Sequence, residues 1–156
     1  MTSISYSPAS YTVAACCMIL ALFSNVAAAS EIGTSSVRVA AERMFAAMPK
    51  DYFTIKVVQA HKEITSGSPA LFDVREPNEF AEERISGAKN IPLGSLVKLS
   101  HLLPKNRSKP ILVYCKSGHR GAMGLTVLKM LGFNNVRSIY SGIAGWKTAG
   151  LPVTTK

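Results

Sequence analysis

Short apolar runs alternate with amphipathic segments through most of the chain after residue 50. Runs rich in β-branched and aromatic residues and bounded by Gly, Pro, Asn or Asp indicate strands, whereas apolar residues at three- and four-residue spacing indicate helices. Strands are therefore predicted at residues 52–55, 70–74, 89–92, 110–114 and 136–140. Helices are predicted at residues 37–48, 56–64, 76–83, 93–103, 121–131 and 142–150. This alternation predicts βα units on a parallel sheet in a single α/β domain.

The N-terminal segment has a different composition. No Lys or Arg occurs before Arg38, and the stretch 13–23 is almost wholly apolar. An apolar stretch of about a dozen residues followed by Ala-x-Ala predicts a secretory signal peptide over residues 1–29. Its cleavage leaves a leader segment with a short amphipathic helix, residues 30–50, ahead of the domain at residues 51–156. The protein is then exported, which in a bacterial cell means the periplasm.

Two alternatives for this segment stay open. The apolar stretch can be retained as a membrane anchor, although it is shorter than the ~20 apolar residues that a membrane-spanning helix needs. The sequence Val13-Ala14-Ala15-Cys16 also resembles a lipoprotein cleavage box, but most of the apolar stretch follows Cys16 instead of preceding it. The intact mass of the protein from its native host distinguishes a cleaved signal peptide from a retained anchor and from a lipoprotein.

The charge of the chain is strongly basic. It contains 18 Lys and Arg against 9 Asp and Glu, a formal net charge of +9. The basic residues are scattered from Arg38 to Lys156, without the dense clusters and interleaved aromatic residues typical of nucleic-acid-binding proteins. We therefore expect no nucleic-acid partner, and a positive field that draws small anions toward a cleft.

The segment after the strand at 110–114 carries the candidate chemistry. The apolar run ends at Cys115, and before the next helix come Lys116, Ser117, Gly118, His119 and Arg120. In α/β sheets ligands bind at the carboxyl ends of strands, and helix N-termini favour anions. Loop amides and nearby cations stabilise a thiolate, so Cys115 is predicted to be a nucleophile beside an anion site. The alternative is a buried structural cysteine that packs as a small apolar residue.

The cysteine count supports the first interpretation. The other two cysteines, Cys16 and Cys17, lie within the predicted signal peptide, so the mature chain keeps one thiol. It then has no internal disulfide and no resolving partner for that thiol. The histidines His61 and His101 lie at no metal-ligand spacing, so neither a metal site nor a cofactor is expected.

Four segments together resemble the landmarks of the single-domain rhodaneses, a family of rhodanese-like sulfurtransferases. They occur in the order of that family and are spread over most of residues 52–153; the segments are 71–80, 85–93, 111–120 and 142–152. The resemblance implies a five-stranded parallel sheet flanked by helices on both faces. It also implies sulfur transfer through a cysteine persulfide.

The same resemblance implies roles for individual residues. Cys115 matches the persulfide-forming residue, residues 116–120 match the active-site loop, and Arg120 matches the position that closes it. Asp73 and Arg75 match an Asp-x-Arg pair that supports the loop from the preceding βα segment.

The expected reaction has two steps. Cys115 takes sulfane sulfur from thiosulfate or a related anionic donor, and cyanide, a small thiol or a protein thiol then removes it. Lys116 and Arg120 are the expected anion contacts, whereas His119 either contacts the anion or faces solvent. The acidic residues of the helix at 76–83 are expected only to face solvent.

Two other functions remain open. A non-enzymatic persulfide carrier in a sulfur relay has the same loop as the enzyme, so the sequence does not separate them. A cysteine phosphatase or arsenate reductase also places a Cys and an Arg around backbone amides. Those enzymes use five residues between the two, whereas this chain has four, residues 116–119, and no acidic residue in the loop.

Overall fold

The computed structural model describes residues 35–67 and 69–155. The predicted signal peptide, residues 1–29, lies outside the described residues, as does the leader up to residue 34. The chain divides into two compact units, Met1–Val39 and Ala40–Lys156. Of the first unit, the described residues 35–39 are helical. Within the described part of the chain, no helix is long and apolar enough to cross a membrane.

Strands and helices alternate along the chain, except that no α-helix lies between β3 and β5 in the described residues. The helices are α1 at 35–46, α2 at Val57–Gly67, α3 at Pro77–Glu82, α4 at His119–Met130 and α5 at Gly142–Thr148. The strands are β1 at Thr54–Ile55, β2 at Ala70–Asp73, β3 at Glu83–Arg84, β4 at Lys89–Asn90, β5 at Ile111–Tyr114, β6 at Val136–Ile139 and β7 at Thr154–Thr155.

Five strands form a parallel sheet in the order β1-β6-β5-β2-β4. The central strand β5 pairs with β2 on one side and with β6 on the other, and its four residues are all buried. Side chains alternate between the two faces of a strand. Accordingly, Val113 and Cys115 pack in one core with α4, and Leu112 and Tyr114 pack in a second core with α2 and α5. The predicted α/β fold, with helices on both faces of the sheet, is confirmed.

The first predicted strand is shorter than expected. Residues 52–55 were predicted as extended, but Tyr52 and Phe53 have φ values of 54° and 57°, and β1 begins at Thr54. The cause is Asp51, whose carboxylate accepts the Phe53 N–H at 3.1 Å while its carbonyl accepts the Thr54 N–H at 2.9 Å. An aspartate side chain that bonds the backbone two residues on produces a turn of this kind.

The predicted helix at 93–103 is wrong. The structure has two separate 3₁₀ turns, Leu93–Ser95 and Ser100–Leu102. Gly94 weakens a helix at its start, since glycine is costly to order. Leu96 and Leu103, the residues directly after the two turns, are nonetheless buried in the core beside α4. The apolar spacing that suggested one helix is thus satisfied by two tight turns.

A small antiparallel ribbon was not predicted. Its strands are β3, directly after α3, and β7, near the end of the chain. The Trp146 indole N–H donates to the Pro152 carbonyl at 2.9 Å, and Lys147 pairs with Glu83 at 2.9 Å. These contacts hold the residues after α5 against the end of α3.

Candidate active site

Cys115 lies at the carboxyl end of the central strand, where the sequence predicted the site. The Val74 N–H donates to the Tyr114 carbonyl at 2.9 Å, so the sheet pairing continues up to the residue before the cysteine. Cys115 itself is 1% exposed and packs in the core beside α4. Its Sγ nevertheless accepts a hydrogen bond from the Gly118 N–H at 3.2 Å. The residue is therefore buried, and its sulfur contacts the amide of the loop that follows.

The loop bends over the sulfur at Gly118. This residue has φ 108°, a left-handed conformation that L side chains rarely adopt, and it is also the residue before α4. Lys116, Ser117 and His119 are exposed around it. Ser117 Oγ and His119 Nδ1 lie 3.1 Å apart, within hydrogen-bond distance. The loop therefore presents polar side chains to solvent and an amide to the buried sulfur.

The start of α5 fixes the backbone of this loop. The Ile143 N–H donates to the Cys115 carbonyl at 2.9 Å, and the Ala144 N–H donates to the Lys116 carbonyl at 3.0 Å. Gly142 allows this approach, because a Cβ at that position would lie 2.2 Å from the Cys115 carbonyl oxygen. Residues 142–152 resembled a family landmark, but the sequence did not show that Gly142 contacts the cysteine. Its signal, a glycine after a strand, is too common to identify such a role.

Arg120 forms an ion pair that was not predicted. Its guanidinium donates from Nη1 to Glu79 Oε2 at 2.6 Å and from Nη2 to Oε1 at 2.8 Å. The hydrogen bond with Arg120 lowers the pKa of Glu79 to about 2, against the opposing effect of burial. Glu79 in turn raises the pKa of Arg120, and a smaller contribution comes from the negative charge of Cys115. Arg120 lies two residues after Gly118, the residue whose amide bonds the sulfur.

This pair corrects the expectation that the acidic residues of α3 only face solvent. Glu79 bonds Arg120, and Glu83, directly after α3, pairs with Lys147. The sequence did not show these partners because they lie 41 and 64 residues away.

Asp73 and Arg75 form a buried pair at the end of β2. The Arg75 guanidinium donates to Asp73 Oδ2 at 2.7 Å and to the Glu83 carbonyl at 2.6 Å, and the two side chains are 0% and 3% exposed. Arg75 also lies over the Tyr114 ring, 5.8 Å from its centroid. Burial and the charge of Asp73 raise the pKa of Tyr114. The pair thus contacts the residue before Cys115 and the segment after α3.

No metal centre is found in the described part of the chain: residues 35–67 and 69–155 contain no group of three or more His, Cys, Asp and Glu side chains that could hold an ion. The site consists of a thiol, the Gly118 amide that bonds it, and the basic side chains Lys116, His119 and Arg120 of the same loop. Such a set suits nucleophilic chemistry on an anion.

Known proteins share this sequence pattern. A family model described as a rhodanese-like domain matches residues 56–149. A sulfurtransferase from Allochromatium vinosum is 31% identical over 83 residues, which cover 53% of this chain and 76% of that protein. Thiosulfate sulfurtransferase 16, chloroplastic, from Arabidopsis thaliana is 32% identical over 109 residues, covering 64% of this chain and 90% of that protein.

Coverage is lower for another relative. The uncharacterized protein slr1261 from Synechocystis is 39% identical over 87 residues, which are 55% of this chain. The chain spans 48% of the length of that relative.

A solved structure shares the fold. The crystal structure of a rhodanese-related protein from Thermoplasma volcanium has 30% sequence identity and a TM-score of 0.60, and the match covers 67% of this chain and all of that one. This structural similarity agrees with the five-stranded parallel sheet described above. Since the family model spans more than half of the chain, this protein belongs to the rhodanese-like domain family.

Proposed function

We propose that this protein is a sulfurtransferase in which Cys115 carries sulfane sulfur as a persulfide. The observation that carries the proposal is the hydrogen bond from the Gly118 N–H to Cys115 Sγ at the carboxyl end of the central strand. An amide aimed at sulfur stabilises the thiolate before the reaction and the persulfide anion after it. The sulfurtransferases among the relatives support the same chemistry.

The first step transfers sulfur from an anionic donor, for which thiosulfate is the first candidate because a similar protein is named for it. The Cys115 thiolate attacks the outer sulfur of thiosulfate, the sulfur–sulfur bond of the donor breaks, and sulfite leaves with the electron pair. Cys115–S–S⁻ remains. Lys116 is exposed next to the cysteine and contacts the anionic donor in this proposal.

The second step regenerates the thiolate. A nucleophile such as cyanide or a thiolate attacks the outer sulfur of the persulfide, and the electron pair of the broken bond returns to Cys115. Because Cys115 is 1% exposed, the persulfide is held largely away from bulk water between the two steps. Two half-reactions that share a covalent intermediate predict ping-pong kinetics.

Mass spectrometry of the protein after treatment with thiosulfate tests the proposal. We expect one added sulfur atom on the peptide that contains Cys115, and its loss after addition of cyanide. The Cys115→Ser variant should show neither the added mass nor turnover. A Cys16→Ser/Cys17→Ser variant is the matched control and should retain both.

The outcomes separate the possible functions. Turnover in Cys115→Ser would exclude a persulfide at this residue. A persulfide that forms on Cys115 but passes to one protein and not to cyanide would indicate a sulfur carrier instead of an enzyme. Hydrolysis of p-nitrophenyl phosphate without sulfur transfer would indicate a phosphatase.

A further inference from the structure

Glu79 is held in one position by two sets of hydrogen bonds. Its Oε2 accepts hydrogen bonds from the Glu76 N–H at 3.1 Å and from Arg120 Nη1 at 2.6 Å, and its Oε1 accepts one from Arg120 Nη2 at 2.8 Å. The first contact belongs to the capping box of α3. The side chain of Glu79 is 24% exposed and that of Arg120 is 32% exposed, so solvent screens the pair only in part.

The Glu79–Arg120 ion pair changes the electrostatic environment of a sulfur donor at Cys115. Arg120 is the second residue of α4 and lies two residues after Gly118, whose amide donates to Cys115 Sγ at 3.2 Å. A donor that approaches the sulfur therefore also approaches the Glu79 carboxylate, which is bound to that guanidinium. Repulsion between this carboxylate and a donor rises in proportion to the negative charge of the donor.

We propose that Glu79 sets the charge preference of the donor site by shifting it away from dianionic thiosulfate and toward monoanionic sulfane-sulfur donors such as thiosulfonates. This inference rests on the proposed function. With a thiosulfonate, R–SO₂–S⁻, the Cys115 thiolate attacks the terminal sulfur. The sulfur–sulfur bond of the donor breaks, Cys115–S–S⁻ forms, and the sulfinate R–SO₂⁻ leaves with the electron pair.

Glu79 acts through its charge and through Arg120, and it does not touch the reacting sulfur in this scheme. It is a positioning residue, so its test must separate a change in donor selectivity from a general loss of structure. Thiosulfate and methanethiosulfonate are suitable probes, because they deliver the same sulfur atom and differ by one unit of charge.

The test compares kcat/KM for the two donors in the wild-type protein and in Glu79→Gln, with cyanide as acceptor. Glutamine at this position can keep the capping box, so the variant is expected to fold. We expect kcat/KM to rise roughly threefold for methanethiosulfonate and roughly ninefold for thiosulfate, because the repulsion that is removed doubles with the donor charge. The ratio between the donors then shifts roughly threefold toward thiosulfate.

Two variants serve as controls for this ratio. Glu82→Gln removes one negative charge from the same helix at an exposed position, and it should leave the ratio unchanged. Glu79→Asp keeps the charge with a shorter side chain, so its ratio should stay near that of the wild type. Thermal unfolding midpoints of all variants verify that they are folded.

The results distinguish this inference from the proposed function. If neither donor adds sulfur to Cys115 in the wild type, the proposed function fails. If both donors load Cys115 but Glu79→Gln leaves their ratio unchanged or shifts it toward methanethiosulfonate, the role of Glu79 is wrong and the function stands. The same shift in Glu79→Asp would also overturn the role, because geometry instead of charge would then set the preference.

Discussion

Glu79 occupies the third position of α3, and its ionised form has two partners there. The hydrogen bond with Arg120 is the largest cause of its lowered pKa, which falls from 4.5 to about 2; burial opposes this effect, and the Glu76 amide adds to it. A carboxyl group whose pKa is depressed in the folded state stabilises the protein above its unfolded pKa. That stabilisation is lost as the pH falls through the folded value.

We therefore expect a pH-dependent difference in the free energy of unfolding between wild type and Glu79→Gln. The difference should be largest above pH 4.5 and should shrink as the pH falls toward about 2. Urea unfolding followed by circular dichroism at a series of pH values measures it. Arg120→Gln, which removes the other partner, should show the same trend. A difference that stays constant over this range would contradict the assigned pair.

At the scale of elements, the loop after β5 is held between two helices. The last residues of the loop form the start of α4. The first amides of α5 donate to the carbonyls of Cys115 and Lys116. The loop amide can then point to the sulfur, because the loop carbonyls are occupied on the other side. The close approach of α5 depends on the missing side chain of Gly142.

Gly142→Ala should therefore disrupt the site. The new Cβ would lie 2.2 Å from the Cys115 carbonyl oxygen, and φ is 55° at this position. We expect the free energy of unfolding to fall by about 3 kcal/mol or more, from overpacking and backbone strain together. Urea unfolding measures this loss, and sulfur transfer should fall with it.

Gly150→Ala is the matched control. Gly150 has φ 69°, but a Cβ there meets nothing within 4 Å. We expect a loss of about 1–2 kcal/mol from the left-handed conformation alone. Equal losses in the two variants would show that α5 does not pack against the loop as described.

At the scale of the whole molecule, the second unit is organised around β5. This strand is paired on both sides, and its residues contribute to both cores of the sheet. The edge strands β1 and β4 are two residues long and pair on one side each within the sheet. Stability should therefore be highest at the centre of the sheet, directly below the site.

Native-state hydrogen exchange measures this distribution. We expect the amides of β5 to exchange only through global unfolding, with a free energy equal to that from urea unfolding. Amides in α1 and at the edge strands should exchange through smaller openings. Equal protection of β1 and β5 would contradict this organisation.

The fold was largely predictable because its signals are local. The buried strands at β2, β5 and β6 are short apolar runs, and α2 has helical spacing of its apolar residues. α4 was identified from its position between the cysteine loop and Gly132, a glycine typical of a helix end. The errors occurred where turn-forming residues lie next to or inside a predicted element. The Asp51 turn shortened β1, and Gly94 helped to replace a helix with two turns.

The sequence by itself determined the α/β class, the position of Cys115 at a strand end and the loop that follows it, since these depend on residues that are neighbours in the chain. Tertiary structure alone decided that Glu79 binds Arg120, that Gly142 admits α5 to the cysteine backbone and that β7 pairs with β3. These contacts join residues that are distant in the chain, and no periodic pattern encodes a pairing between them. Their formation depends on the order of the strands in the sheet, which brings α5 against the loop after Cys115 and α3 against the start of α4.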